Sequence, residues 1–200
     1  FSSRRRHTRF RNVTGVQTCA LPIYFRKPLV LMAPKSLLRH RRVVSKLWEM
    51  GPDTSFHRIL WDDAQSVPGC TLLLKPDEDI KRVVLCSGRV YYDLFEEREK
   101  RGEDRIQLLR LEQIYPLPGL ALTSELTRFA GAEILWCQEE PKNQGAWSFI
   151  APHIESVMEQ VGLKGPLRYA GRKASASPAA GQASQHAAEL KAFLDDALSL

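Results

Sequence analysis

Short apolar runs of strand length alternate with longer amphipathic stretches from residue 81 onward, and this alternation restricts the folds open to the chain. The predicted strands are residues 82–86, 106–111, 133–137 and 167–169, and the predicted helices are residues 90–101, 120–129, 146–161 and 184–198. Strands that alternate with helices form a parallel or mixed sheet with helices on both faces. The sequence therefore predicts an α/β fold, a three-layer, open, mostly parallel sheet of about five strands.

The stretch before residue 81 is less regular. Residues 27–32 form a short apolar run, which we predict to be a further strand. Ser36 is a suitable N-cap for a helix predicted over residues 37–50, which Gly51-Pro52 would end. Residues 54–79 contain several turn signals and are predicted to be mostly loop.

Residues 1–24 differ from the rest of the chain in composition and pattern. They hold five arginines and no acidic residue, and they show neither helical nor strand periodicity. They lack the amphipathic face of a mitochondrial targeting peptide and the apolar core of a secretory signal. The strings SSRRRHTR and VTGVQTCALPI resemble translations of sequencing-adapter DNA. We therefore predict that residues 1–24 are non-native or disordered, and that residues 25–200 form a single α/β domain.

Charge and cysteine usage exclude several classes of protein. Removing the five arginines of residues 1–24 from the 29 basic residues leaves 24 against 23 acidic residues, so the body is nearly neutral and a nucleic-acid partner is not predicted. No apolar run approaches the roughly 20 residues that span a bilayer, so no membrane partner is predicted. The four cysteines form no CxxC pair, so neither a metal site nor a disulfide is predicted.

Five motifs follow one another in the parts of the chain where open α/β sheets carry functional loops. They are PKSLLRH at residues 34–40, CSGRVYYDL at 86–94, RLEQIYPLP at 110–118, WCQEEPKNQGAW at 136–147 and RYAGRKASASPAAG at 168–181. In order and spacing they resemble the C-terminal domain of the thiamine-dependent, decarboxylating component of 2-oxoglutarate dehydrogenase, in the transketolase superfamily. The related 2-oxoadipate dehydrogenase component shares much of this pattern and remains an alternative.

The resemblance implies a parent enzyme of the tricarboxylic acid cycle, an oxidoreductase. That enzyme uses thiamine diphosphate and magnesium to decarboxylate 2-oxoglutarate, and it transfers the succinyl group to lipoyl-lysine. Implied partners are the rest of its own polypeptide, a homodimer mate, dihydrolipoyl succinyltransferase and dihydrolipoyl dehydrogenase. The implied location is the bacterial cytoplasm, or the mitochondrial matrix in a eukaryote. The GDG motif that holds the cofactor in the family is absent from this sequence, so the chain alone is expected to bind no cofactor and to be inactive.

The candidate site residues fall into two sets, and neither includes a catalytic residue. Residues expected to dock on neighbouring domains are Glu112, Gln113, Tyr115, Glu139, Glu140, Asn143, Gln144, Trp147, Ser175 and Ser177. Residues that could bind an anionic effector are Lys35, Arg39, Arg89, Arg168 and Arg172. If the second set forms one site, the chain could instead be a free-standing, nucleotide-binding regulatory module. Tyr115, Leu117 and Trp147 are expected to be left bare without a partner.

Overall fold

A computed structural model describes residue 30, residues 33–66 and residues 72–200. The chain divides into two compact units, Phe1–Val43 and Val44–Leu200. The predicted non-native segment, residues 1–24, lies outside the described residues, as does the predicted strand at residues 27–32 apart from Val30. The domain predicted for residues 25–200 therefore stays a prediction for its first residues. The α/β body that the structure describes lies in the unit that begins at Val44.

Two short 3₁₀ turns occupy the place of the helix predicted over residues 37–50, so that prediction is wrong. The turns are Lys35–Arg39 and Leu47–Met50, and neither contains a buried residue. Helices in globular proteins owe most of their stability to burial of an apolar face, which these turns lack. Nδ1 of His40 also accepts a hydrogen bond from the backbone N–H of Arg42 at 3.3 Å, and such local bonds compete with helical ones.

Five strands of the second unit form one sheet, in the order β1-β3-β2-β4-β5. The strands are β1 (Ile59–Leu60), β2 (Arg82–Cys86), β3 (Ile106–Leu111), β4 (Glu133–Pro141) and β5 (Arg168–Arg172). β1 runs antiparallel to β3, and the other neighbouring pairs are parallel. The predicted sheet type is confirmed, although β1 lies in a stretch predicted to be loop. All five residues of β2 are buried, as expected of a central strand that is covered on both faces.

The helices of this unit are α1 (Asp63–Ser66), α2 (Val90–Arg101), α3 (Gly119–Thr127), α4 (Trp147–Val161) and α5 (Ala183–Leu198). Apart from α1, which falls in the predicted loop region, they match the predicted helices to within two residues at each end. The glycines that follow α2 and α4, Gly102 and Gly162, have φ of 63° and 79°. This left-handed conformation ends a helix without strain when the residue is glycine.

The largest hydrophobic core lies between the sheet and the layer of α3 and α4. Its members from the sheet include Val83, Leu85, Ile134 and Trp136, and those from the helices include Leu122, Leu126, Ile150 and Ile154. Helices α2 and α5 contact each other and the sheet, and they bury Leu94, Phe95, Phe193 and Leu194 outside that cluster. The predicted three-layer arrangement is therefore confirmed.

A buried ion pair joins α2 to the chain segment between β1 and α1. Asp62 and Arg98 are both fully buried, and the two guanidinium nitrogens of Arg98 donate to the carboxylate at 2.5 and 2.7 Å. The backbone N–H of Leu108 donates to the same carboxylate at 2.8 Å. Sequence patterns gave no signal of this pair, because its members lie 36 residues apart and neither belongs to a motif.

Candidate functional site

The four parallel strands end at one edge of the sheet, and the loops that leave it carry most of the predicted docking residues. We call this the carboxyl edge, and its loops are residues 87–89, 112–118, 142–146 and 173–182. Open α/β sheets place their ligands at this edge. The strand predicted over residues 133–137 is too short, because residues 138–141 also belong to β4. β4 continues to Pro141, pairing with β5 across an irregularity in register.

A buried glutamine fixes the loop after β4. The side-chain oxygen of Gln138 accepts hydrogen bonds from Nε1 of Trp136 and from the backbone N–H of Trp147, both at 3.0 Å. Its amide nitrogen donates to the carbonyl of Gln144 at 2.7 Å. Gly145, with φ of +67°, permits the turn that brings these groups together. Gln138 therefore positions the loop. The sequence analysis missed this role, although a polar residue directly after a buried apolar run was the available signal.

Two predicted docking residues, Asn143 and Gln144, join the loop after β4 to the loop after β5. The side chain of Asn143 donates to the carbonyl of Ser175 at 3.0 Å and accepts from its N–H at 2.9 Å. Gln144 donates to the same carbonyl at 3.1 Å. The Ser177 N–H donates to the Ser175 hydroxyl at 3.2 Å, and the Ser177 hydroxyl donates to the carbonyl of Ala179 at 2.8 Å. The structure thus brings these four predicted residues together, and the two hydroxyls shape a turn.

Close approach of β4 and β5 supports the same region. A Cβ atom at Gly171 would lie 2.8 Å from the carbonyl oxygen of Gln138, so the position suits glycine. The Tyr169 ring centroid lies 4.8 Å from that of Trp147, and the Tyr169 hydroxyl donates to the carbonyl of Arg172 at 3.2 Å. Burial raises the pKa of Tyr169 to about 12. The phenol therefore remains a neutral donor at physiological pH.

The adjacent carboxylates Glu139 and Glu140 have different surroundings. Oε2 of Glu139 lies 3.5 Å from a guanidinium nitrogen of Arg89, whereas Glu140 is exposed and its Cβ borders Gly145. Burial raises the pKa of Glu139, and the charge of Arg89 opposes that rise. The two carboxylates do not share one site, as the alternation of side chains along a strand predicts.

An exposed aromatic pair marks the carboxyl edge. Tyr115 is 81% exposed, as the sequence predicts, and its ring centroid lies 6.0 Å from that of Phe149, which is 37% exposed. The expectation that Leu117 and Trp147 are bare is wrong, because both are partly buried against the core. The exposed aromatic surface at this edge therefore includes Tyr115 and Phe149.

Glu112 and Gln113, which precede this pair, make contacts within the domain. Oε1 of Glu112 lies 2.7 Å from Nε of Arg110, and another nitrogen of Arg110 donates to the Tyr92 hydroxyl at 2.9 Å. The side chain of Gln113 donates to the carbonyl of Pro116 at 2.6 Å. These contacts fix the loop that presents Tyr115.

The predicted anion-binding arginines of the second unit, Arg89, Arg168 and Arg172, do not form one cluster. Lys35 and Arg39 are exposed and belong to the first unit, Arg89 and Arg172 lie at the carboxyl edge, and Arg168 begins β5 at the opposite end. The three arginines of the second unit have acidic partners: Asp93 and Glu139 for Arg89, Glu133 and Asp196 for Arg168, and Glu189 for Arg172. An anion at any of these three would compete with a carboxylate.

An open groove of about 670 Å³ separates the loop after β5 from α5. Its lining includes Arg172, Ser175, Gln185 and Glu189. Two of its charged groups bond to each other, since Nε of Arg172 donates to Glu189. The groove therefore has mixed polarity and no excess of one charge among these groups.

Two cysteines, Cys86 and Cys137, are buried in β2 and β4. Burial raises the pKa of the Cys86 thiol to about 12 and raises that of Cys137 as well, which keeps both thiols protonated. Among the described residues, no group of three or more His, Cys, Asp or Glu side chains is placed to hold a metal ion. These described residues therefore do not fit the magnesium ion that the resemblance implies. Within the same part of the chain, no helix has the length and apolar character to cross a membrane.

Comparison with known proteins gives a consistent result. A family model described as 2-oxoglutarate dehydrogenase C-terminal matches residues 44–198. The 2-oxoglutarate dehydrogenase E1 component of Brucella anthropi is 61% identical over 175 residues, which is 87% of this chain and 18% of that protein. The corresponding proteins of Brucella ovis and Brucella abortus are 60% and 59% identical over 175 residues, or 17% of their lengths. The chain thus spans less than a fifth of these relatives.

Proposed function

This chain belongs to the 2-oxoglutarate dehydrogenase C-terminal family, and from that premise we propose that it forms the C-terminal domain of an E1 component. In this proposal the domain docks through its carboxyl edge on the remainder of the E1 polypeptide and on the homodimer mate. It supports the domains that hold the cofactor and performs no chemistry alone. The docking residues are those predicted from the sequence, from Glu112 to Ser177, together with Phe149.

The observation that carries this proposal is a carboxyl edge with a fixed shape and an exposed aromatic pair. Gln138, Asn143 and Gln144 hold the loops through neutral hydrogen bonds to the backbone. Tyr115 and Phe149 remain open to solvent beside them. Aromatic residues in a rigid, polar surround are typical of the centres of protein interfaces.

The parent reaction is part of the same proposal. The E1 component would decarboxylate 2-oxoglutarate with thiamine diphosphate and magnesium, bound by the rest of the polypeptide, and pass the succinyl group to a lipoyl arm. Its partners would be dihydrolipoyl succinyltransferase and dihydrolipoyl dehydrogenase in the bacterial cytoplasm. The names of the matched family and of the Brucella relatives favour 2-oxoglutarate over 2-oxoadipate as the substrate.

A chimera tests the proposal. The 175 matched residues of the Brucella anthropi E1 component would be replaced by those of this chain, and thiamine-dependent decarboxylation of 2-oxoglutarate would be measured. We expect the chimera to be active, and both the isolated chain and the E1 component without those residues to be inactive. Turnover by the isolated chain, or a folded chimera without activity, would refute the proposal.

An effector site at Lys35 and Arg39 is a second proposal, and their exposure supports it. The arginines predicted with them, Arg89, Arg168 and Arg172, are paired with carboxylates and are left out of this proposed site. Calorimetry of the chimera with AMP and with acetyl-CoA tests this. We expect saturable binding that the double substitution Lys35→Ala with Arg39→Ala abolishes, and no heat of binding with either ligand would contradict it.

A further inference from the structure

Large apolar side chains are exposed at unusual density in residues 44–56, which we call the 44–56 segment. Its exposed members, each between 66% and 88% accessible, are Val44, Leu47, Trp48, Met50 and Phe56. The described residues from 57 to 200 are about ten times as numerous, and their exposed large apolar side chains are Trp61, Leu73, Tyr115, Leu120, Phe149 and Leu200. The segment therefore carries a concentrated apolar surface.

Local hydrogen bonds give this segment a defined shape although its 3₁₀ turn buries no residue. The carboxylate of Glu49 accepts from the backbone N–H of Lys46 at 2.5 Å, and the Gly51 N–H donates to the carbonyl of Trp48 at 3.2 Å. The Thr54 hydroxyl donates to the carbonyl of Gly51 at 2.7 Å. A surface that is already shaped in this way loses less conformational entropy on binding.

The 44–56 segment reaches the sheet at the carboxyl edge. β1 is antiparallel to β3, and Ile59, at the start of β1, pairs with Leu111, at the end of β3. The carbonyl of Arg58 accepts hydrogen bonds from the N–H groups of Glu112 and Gln113 at 2.9 and 3.2 Å. The chain therefore enters the sheet beside the loop that presents Tyr115. The 44–56 segment directly precedes this entry point, at the edge proposed to dock.

We propose that the 44–56 segment is a docking strap that lies on the remainder of the E1 polypeptide, with Leu47 and Trp48 as its main contacts. This inference rests on the proposed function. The matched family region begins at Val44, so the segment belongs to the family's domain. More than four-fifths of the Brucella relatives lie outside the matched residues, and the C-terminal family places that remainder before the segment. Contiguous exposed apolar patches mark protein interfaces, and Trp is prominent among the residues that dominate their affinity.

Hydrogen exchange tests the strap in the chimera described above and in the isolated chain. We expect the backbone amides of residues 44–56 to exchange at least about tenfold more slowly in the chimera, because the partner surface excludes water. The double substitution Leu47→Ser with Trp48→Ser should restore fast exchange in the chimera and leave the thermal midpoint of the isolated chain unchanged. Leu73→Ser is the matched control, since Leu73 is 82% exposed and lies outside the segment.

The outcomes separate this inference from the proposed function. An active chimera whose 44–56 amides exchange as fast as those of the isolated chain would overturn the strap and leave the proposed function standing. If the 44–56 amides exchanged as slowly in the isolated chain as in the chimera, and the isolated chain were a dimer in sedimentation equilibrium, the segment would bind a second copy of this chain. That result would overturn the proposed contact with the remainder of the E1 polypeptide. A folded chimera without activity would remove the proposed function, and the strap with it.

Discussion

Both ends of the parallel sheet carry ion pairs, but a network of neutral amides is found at the carboxyl edge. At the end where the strands begin, charged side chains bond to one another: Arg82 to Glu133 at 2.6 Å, Arg168 to Glu133 at 3.1 Å and Arg168 to Asp196 at 2.9 Å. At the carboxyl edge, neutral amides of Gln138, Asn143 and Gln144 bond to the backbone. The first set joins β2, β4 and β5 to α5, and the second shapes loops.

Contacts at the end where the strands begin stabilise the fold, whereas contacts at the carboxyl edge hold a surface in place for a partner. Arg82 also donates to the carbonyls of Ala197 and Ser199 at 2.9 and 2.7 Å, where a cation stabilises the end of a helix. That end of the sheet is thus closed by contacts within the domain. The carboxyl edge has a fixed shape, and it leaves Tyr115 and Phe149 exposed for a partner.

Removing Arg82 should give the largest loss of stability, at the end of the sheet where the strands begin. Its side chain is 4% exposed, and Arg82→Met removes one of the two arginine donors to Glu133 and the donor to the carbonyls of Ala197 and Ser199. We expect the free energy of unfolding to fall by about 3 kcal/mol in urea denaturation. The control is Arg105→Met, because Arg105 is paired to Glu103 with 47% of its side chain exposed; we expect a much smaller change in the free energy of unfolding. Equal losses would contradict the distinct role of the buried charge.

Removing Gln138 should give the largest loss of stability at the carboxyl edge. Gln138→Leu leaves the indole N–H of Trp136 and the carbonyl of Gln144 without this partner, and we expect a loss of about 2 kcal/mol. Gln113→Leu is the control, because Gln113 is half-buried and its side chain bonds one carbonyl; we expect about 0.5 kcal/mol or less. A loss at Gln138 no greater than at Gln113 would show that the amide network is not what holds this edge.

Adding a methyl group at Gly171 tests how closely β4 and β5 approach each other. The new Cβ would clash with the Tyr169 ring and lie 2.8 Å from the carbonyl oxygen of Gln138, so the ring and the strands would have to shift, at a cost of about 1–2 kcal/mol in thermal or urea unfolding. At Gly131 a Cβ would meet nothing within 4 Å. Gly131→Ala should therefore be neutral within about 0.5 kcal/mol, and a Gly171→Ala protein of unchanged stability would disprove the close approach.

The smallest expected effect is a pH dependence of opposite sign at the two ends. Burial raises the pKa of Glu133, but the hydrogen bonds from Arg82 and Arg168 outweigh it and hold the pKa below its ordinary value. A depressed pKa contributes stability above the unfolded pKa, and this is lost as the pH falls through the folded pKa. Glu133→Gln should lower the free energy of unfolding by about 1 kcal/mol or less at pH 7. The difference should vanish as the pH falls below about 4.3.

Glu139 at the carboxyl edge should behave in the opposite way. Burial raises the pKa of Glu139 despite Arg89, so its contribution is present below the unfolded pKa and is lost as the pH rises through the folded pKa. Glu139→Gln should therefore cause no loss of stability at pH 7. Urea denaturation of both variants between pH 3 and pH 7 measures the contrast, and parallel pH profiles would contradict it.

The sequence predicted the strands and helices better than the contacts between them. The bounds of β2, β3 and α2 agree with prediction because each is a short apolar or amphipathic pattern closed by a turn residue such as Gly102. The helix predicted over residues 37–50 failed because none of its apolar residues, Trp48 among them, is buried. At the candidate site, the sequence identified the residues around Tyr115 and Asn143, whereas the role of Gln138 depends on bonds to atoms that the fold brings to it.

By itself, the sequence determined the order of strands and helices from residue 81 onward, the α/β class and the loops that carry the distinctive motifs, because periodicity and turn chemistry act over a few neighbouring residues. Tertiary structure decided the strand order, the Asp62–Arg98 pair and the closure of α5 by Arg82, whose partner Ala197 lies 115 residues away. Such contacts leave no local pattern, since each depends on where the folded sheet places two distant parts of the chain.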